Sequence, residues 1–288
     1  MRLVVLDYLS DPGQADKPND DSLCLGPGMA AVFDGATGIG DSLVFPSHGS
    51  DAAWLAQLAA GQFYKAAPEA NAGDMVRKVC RDAALAVSAE IELSQLPRFA
   101  WPTSSFEMAR LHGNMLELCG LGDCTAFVLS ADGSLLTHIA MPTGRDGEMA
   151  AARRLLDASG GFGENLGIVR EGATLEALRR ARALHNTKGG SVWTLGLEPD
   201  AGAHVASIKI KAEAGQQILL MSDGFAALCE AYQVYSAEAM VRAACANGLA
   251  SLLAQLRHVE KVEDPAAARF ARFKQSDDAT AILAKICW

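Results

Sequence analysis

Basic charge, paired cysteines and long apolar runs are all scarce in this chain of 288 residues. Lys and Arg total 25 against 34 Asp and Glu, for a net charge of −9. Without a basic surplus, a general nucleic-acid binder or a binder of acidic membranes is excluded. Phosphorylated substrates stay open, because a bound cation offsets local negative charge. The seven cysteines are scattered and odd in number, and none forms a Cys-x-x-Cys pair. That excludes a disulfide scaffold and the usual zinc spacings, and is read as reduced thiols in a cytoplasm. Cys119 and Cys124 fall in two strands expected to pair, where packing is their expected role. No apolar run is long enough to span a bilayer. The opening Met1–Leu6 run is closed by Asp7 and reads as a strand, not a secretory leader. There is no internal repeat and no low-complexity tail. No Gly-Lys-Ser/Thr follows any glycine group, so a phosphate loop is absent.

What is present is a core and a pattern. Half of the residues are apolar, enough for a sizeable interior. The stretch Ala30-Ala31-Val32-Phe33-Asp34-Gly35 ends an apolar run in one carboxylate followed at once by glycine. The run reads as a buried strand bounded by a turn. Its carboxylate would face a rim, where a hard cation can reach it. Gly35, lacking a side chain, lets its carbonyl approach the same ion. Taken singly, an Asp-Gly pair is an ordinary turn.

Expected strands cover Leu3 to Leu9, Ser22 to Leu25 and Met29 to Phe33. Further runs lie at Ser104 to Leu111, Met115 to Leu121, Thr125 to Leu129 and Leu135 to Ile139. Their tight breaks predict an antiparallel meander. Val205 to Ile210, Gln217 to Met221 and Ala279 to Cys287 complete the strands. Helical spacing marks Asp51 to Ala66, Asp74 to Leu93, Phe225 to Tyr232, Ala237 to Ala246 and Leu249 to Val259. Residues 141–190 hold helix-like pieces (Gly147 to Ala158, Leu175 to Leu184) among glycines and charges. They read as a flap-like insert over one edge. Everything together predicts one α+β domain over residues 1–288, with helices on the outer faces of antiparallel sheets.

The Asp34 pattern recurs. Leu118-Cys119-Gly120-Leu121-Gly122-Asp123 and Ile218-Leu219-Leu220-Met221-Ser222-Asp223-Gly224 repeat it. Asn19-Asp20-Asp21-Ser22 and Ser276-Asp277-Asp278-Ala279 place acids at strand starts. In the hairpin from Ser22 to Phe33, Asp20-Asp21 and Asp34 end up as neighbours. Clustered carboxylates repel unless a cation neutralises them. Oxygen donors with no His or Cys beside them point to Mg²⁺ or Mn²⁺.

In order and in element, these motifs resemble those of the metal-dependent protein serine/threonine phosphatases (the PPM type, or type 2C). The resemblance runs from Asn19 to Leu283. It implies a central antiparallel β-sandwich flanked by helices on both faces, a two-ion Mn²⁺ or Mg²⁺ site at one rim, and a phosphorylated protein as substrate. Asp34 would bridge the ions, and the Gly35 carbonyl would bind the second. Asp20 stands where the family has a glutamate ligand, and Asp21 where an acid holds metal-bound water. Asp223 and Asp277 match the ligands of the first ion. Asp278 replaces an Asn, Asp123 matches a mainly structural acid, and Cys124 replaces a Ser.

The departures are as specific as the matches. Ala36 stands where many relatives have His, so no acid catalysis comes from that side chain. Asp16 stands where a phosphate-binding Arg is expected. Lys17, one step on, is a point charge without a bidentate fork. Ala227 replaces an acid, and no acid precedes Pro102-Thr103-Ser104, which argues against a third ion. Two ions about 3.5–4 Å apart would activate a water and clamp the phosphoryl oxygens for in-line attack. The catalytic set is then Asp34, Asp223 and Lys17, and the 141–190 insert, expected opposite the site, reads the substrate. The rival expectation is a catalytically weak or inactive phosphatase-like regulatory module. A regulatory phosphatase acting on an anti-sigma antagonist or a secretion-system protein shares the chemistry and differs only in partner. His48, in the loop after Asp34, is the one histidine placed to reach a leaving group. The other histidines and the four tryptophans read as surface or packing residues.

Overall fold

The computed structural model describes residues 1–141, 144–163, 166–167 and 172–288, with only the backbone of 144–148 and 159. Three strands open the chain: β1 (Arg2–Asp11), β2 (Ser22–Gly26) and β3 (Met29–Gly35). Helices α1 (Asp51–Lys65) and α2 (Ala72–Glu90) follow. Next come β4 (Ser104–His112), β5 (Met115–Leu121), β6 (Thr125–Leu129) and β7 (Leu135–Ile139). Helices α3 (Gly144–Ser159) and α4 (Gly172–Ala183) lead to β8 (Ala206–Lys211) and β9 (Gln217–Met221). The chain closes with α5 (Asp223–Glu230), α6 (Ala237–Asn247), α7 (Leu249–His258) and β10 (Ala279–Cys287).

The strands form two five-stranded antiparallel sheets, in the orders β1-β10-β9-β6-β7 and β2-β3-β4-β5-β8. Side-chain alternation explains how they stack. On β3, Ala30 and Val32 face the other sheet, while Ala31 and Phe33 face the helices. Both faces are buried, so β3 reads as an unbroken apolar run. On β9, Ile218 and Leu220 point between the sheets, and Leu219 and Met221 point toward α5, α6 and α7. The result is a sandwich with helical layers outside it.

Helix α1 begins where Ser50 accepts a hydrogen bond from the Ala53 N–H at 2.9 Å. Its buried face, Ala52, Leu55, Ala56, Ala59 and Phe63, covers β2 and β3. Phe33, Phe63 and Phe106 form a triad there, with centroid separations of 5.1, 6.1 and 5.1 Å. Each such aromatic pair adds about 0.5–1.5 kcal/mol beyond area burial. On the other side, Phe225, Leu228, Met240, Val241, Leu252 and Leu256 cover β9 and β10.

The expected meander does not form. β4 pairs with β5 in one sheet, whereas β6 pairs with β7 in the other. The chain crosses between sheets at Gly122, whose φ is +83°. A Cβ there would come within 2.7 Å of the Ser105 Cβ, so only glycine makes the turn. Strand periodicity does not say which sheet a strand joins. Cys119 and Cys124 are therefore not on paired strands; both are buried free thiols.

Candidate metal and phosphate site

The topology sends the acids to one edge. β9 and β10 are antiparallel, with Ala281 opposite Met221, so the end of β9 lies beside the start of β10. The Ser222 N–H bonds to the Thr280 carbonyl at 2.9 Å, continuing the ladder to the acids. In the other sheet Ser22 pairs with Phe33, which sets Asp21 beside Asp34. Asp123 follows β5 on the same rim, holding the Ser105 hydroxyl at 2.7 Å.

Two groups result. In the first, the Asp34 Oδ2 accepts the Asp223 N–H at 3.3 Å, at the start of α5. Burial, and then the charges of Asp223, Asp21 and Asp123, hold the Asp34 carboxyl well above the usual carboxylate range. The Asp34 and Asp223 side chains also meet in a hydrogen bond. Two carboxylates in contact need a shared proton or a cation between them. Asp21 is raised well above its usual range by burial and then by Asp278, although Ser222 and Thr280 bond to it. One of its oxygens, Oδ2, is buried with no hydrogen-bond partner.

The second group is Asp20, Asp277 and Asp278. Asp278 accepts the Gly13 N–H at 3.0 Å and the Asp20 N–H at 2.8 Å, and so pins the loop between β1 and β2. The Asp20 side chain takes the Ser50 hydroxyl. Burial raises its carboxyl despite that bond. Asp277 is paired with the Lys274 ammonium at 2.5 Å. Burial alone would raise Asp277, but Lys274, the Asp278 N–H and the Arg257 charge together lower the carboxyl. Burial alone would likewise lower Lys274, and Asp277 reverses that, so Lys274 stays charged.

These residues fit a divalent cation at the Asp34–Asp223 pair. The donors are hard oxygens, the pair lacks a neutralising charge in the field that sets Asp34, and Asp21 offers an orphaned oxygen. Among the described residues, no three acid, histidine or cysteine side chains already converge on one ligand position. Asp277 is bonded to Lys274, and Asp20 to Ser50. Gly35 has a packing reason to be glycine. A Cβ there would collide with the Asp20 carbonyl and lie 3.1 Å from the Ala52 carbonyl.

Beside the acids opens a cavity of about 770 Å³, lined by Lys17, Asp20, Thr37, Trp101, Arg182 and Lys274 among others. A smaller one of about 90 Å³ is lined by Asp223, Asp277 and, again, Lys274. Asp20 and Asp278 line the larger cavity, and Asp34 and Asp223 do not. Helix α4 borders this cavity through Arg182. Arg179 donates to the Ile39 carbonyl at 2.9 Å and pairs with Asp41, and Arg182 donates to the Thr103 hydroxyl at 3.3 Å. His48 is not brought to the site; it is exposed and bonds Gln57 at 3.3 Å. Sequence reasoning missed Arg182 and Lys274. The Lys-x-x-Asp spacing of Lys274 and Asp277 was the available signal for one of them.

No protein-family model matches the sequence, and no curated protein matches it either. Solved structures do. The serine/threonine phosphatase PstP/Ppp of Mycobacterium tuberculosis aligns over 100% of both chains, at 19% identity and a TM-score of 0.58. The PstP catalytic domain in complex with 2 manganese ions aligns over 99% of this chain and 100% of its own, at 19% identity and a TM-score of 0.56. This chain has the PPM phosphatase fold. The serine/threonine phosphatase of S. agalactiae shares that fold over 99% of both chains, at 13% identity and a TM-score of 0.53. The PPM fold accounts for the two sheets and the outer helices.

Proposed function

We propose that this chain is a metal-dependent phosphatase that hydrolyses phosphoserine or phosphothreonine on proteins. One observation carries the reading: Asp34 from one sheet and Asp223 from the other are pressed together, with Asp21 and Asp123 adding to the same negative field. Such an arrangement is costly without a cation. Asp34, Asp223 and Asp277 would hold one Mn²⁺ or Mg²⁺ ion, Asp34, Asp20 and the Gly35 carbonyl a second, and Asp21 would hold metal-bound water. The bound cations would supply charge stabilisation for phosphoryl oxygens and an acidified water.

The chain's own residues supply the rest. Lys17 and Arg182 line the cavity beside Asp20 and place positive charge where a phosphoryl group enters. Arg182 offers the planar fork that Lys17 lacks, and so takes the place of the arginine missing at Asp16. Trp101, Phe99 and Pro102 give the cavity an apolar wall for the residues flanking a phosphorylated side chain. Ala36 adds no proton donor, so the leaving serine or threonine oxygen takes its proton from water. Residues 1–288 act as one unit in this reading, with α3 and α4 of the insert bordering the substrate.

The test is hydrolysis of phosphopeptides with and without Mn²⁺, using Asp223→Asn as the control. Metal-dependent turnover that falls at least a hundredfold in the variant is expected. Turnover unchanged by the substitution rejects the reading. A second reading, a phosphatase-like binding module, is favoured by the Lys274–Asp277 pair, which closes one acid to cations. Binding of phosphopeptide without turnover at saturating Mn²⁺ selects that module.

A further inference from the structure

One side chain of α4 makes three contacts with the two loops that wall the larger cavity. The Arg179 Nε donates to the Ile39 carbonyl at 2.9 Å, its Nη2 pairs with Asp41, and its guanidinium carbon lies 4.6 Å from the centre of the Phe99 ring. Ile39 and Asp41 belong to the loop that leaves β3, and Phe99 to the turn Arg98–Ala100. That turn reaches back: Arg98 donates to the Asn186 carbonyl, just past α4, at 3.0 Å. The two loops are tied to each other as well, the Ala36 N–H donating to the Thr103 carbonyl at 3.0 Å. Arg182 lies three residues on from Arg179, on the same face of the helix. It lines the cavity and donates to the Thr103 hydroxyl, whereas Arg179 does not line the cavity. The three contacts differ in weight. Asp41 is 82% exposed, so its ion pair contributes little. The Arg179 side chain is 21% exposed. Its charge-assisted bond to a backbone carbonyl and its place over an aromatic face are better shielded from water.

We infer that Arg179 is a positioning residue for phosphoryl recognition: its contacts with Ile39 and Phe99 fix α4 against the loop after β3, and so hold the Arg182 guanidinium in the cavity wall. A planar fork meets a phosphoryl group in a narrow range of orientations. Fixing that fork beforehand removes an ordering cost from binding. Without Arg179, Arg182 samples a wider range and affinity falls. The rim acids keep their own contacts, so the chemical step is untouched. The inference rests on the reading of Arg182 as a phosphoryl-binding residue and is independent of whether hydrolysis follows.

Two readouts on the full chain with Mn²⁺ test it, both well below the unfolding temperature. One is KM and kcat for a phosphoserine peptide. The other is the Kd of the same peptide carrying a non-hydrolysable phosphonate, by calorimetry. Arg179→Ala is expected to raise KM and Kd about fivefold, with kcat within about twofold of wild type. Arg179→Lys keeps a cation over Phe99 and a donor for Ile39, and should recover most of the loss. Asp41→Asn should move neither constant by more than about twofold. The double variant Arg179→Ala/Arg182→Ala should match Arg182→Ala alone, because Arg179 acts through Arg182. Arg179→Gln serves if the Ala variant fails to fold. Wild-type KM and Kd in Arg179→Ala overturn the inference, as do independent effects that multiply in the double variant, or no binding of the phosphonate peptide to wild type. The expected pattern in Kd with no turnover upholds it while rejecting the phosphatase reading. Turnover in wild type with KM and Kd indifferent to Arg179 does the reverse.

Discussion

Glu107→Gln should make the protein more resistant to denaturation in mildly alkaline buffer, and the gain should vanish in acid. Glu107 lies on β4 with its side chain turned between the sheets, and is fully buried. It meets His138 of β7 in the other sheet at 2.8 Å. Its second oxygen, Oε2, has no partner. Burial pushes the carboxyl from 4.5 up to about 7, with the His138 bond opposing. The folded protein therefore keeps a proton that the unfolded chain releases between 4.5 and about 7. Stability falls as pH rises through that window. At about 1.4 kcal/mol per pH unit, the loss is about 3 kcal/mol. Glutamine keeps the shape and an acceptor for His138 and has nothing to ionise. Urea denaturation from pH 4.5 to 8, read as the difference between variant and wild type, isolates this group from the other acids. The variant should gain about 3 kcal/mol across the window relative to its standing at the acid end. A difference flat within about 0.5 kcal/mol would show that Glu107 ionises freely in the fold and would refute the reasoning.

Gly120→Ala should destabilise by about 1–3 kcal/mol through overpacking. Gly120 sits opposite Glu107, and a Cβ there would collide with Oε2 and lie 2.7 Å from the Phe106 carbonyl; a midpoint equal to wild type in urea would contradict it. Ser50→Ala removes the cap of α1 and the partner of Asp20. A loss of about 1 kcal/mol is expected from the cap, measured by thermal unfolding in EDTA. Arg182→Ala should raise KM for a phosphopeptide roughly tenfold with kcat changed less, as when a charge-assisted contact made before the reaction is lost. An unchanged KM would remove Arg182 from substrate binding.

The sequence made some of this readable and hid the rest for identifiable reasons. β3 was legible because burial on both faces leaves Ala30 to Phe33 unbroken, and the His112-Gly113-Asn114 turn fixed the β4–β5 pairing. The sheet change at Gly122 was not, because a glycine in a turn signal does not reveal the direction the chain leaves in. The acids were legible as a set, since each closes or opens an apolar strand. Their division into two groups was not. It depends on Lys274 reaching Asp277 and on Ser50 reaching Asp20 from the cap of a helix, and both are side-chain geometry. Lys274 lies in a polar stretch, Lys-Gln-Ser-Asp, that carries no periodic signal. Arg182 is one of several charges on α4, and only the packing of α4 against the turn Arg98–Ala100 and the loop after β3 sets it apart. Among the described residues, no helix is long and apolar enough to cross a membrane, in keeping with the missing apolar runs.

Crystals of the protein soaked in Mn²⁺ and measured at the manganese absorption edge give the most direct view of the rim. An anomalous peak in contact with the Asp34 and Asp223 carboxylates is expected, and it should disappear in Asp34→Asn. A map with no peak at that pair at saturating Mn²⁺, or with one that survives the substitution, would contradict the claim that these acids are gathered to hold a cation.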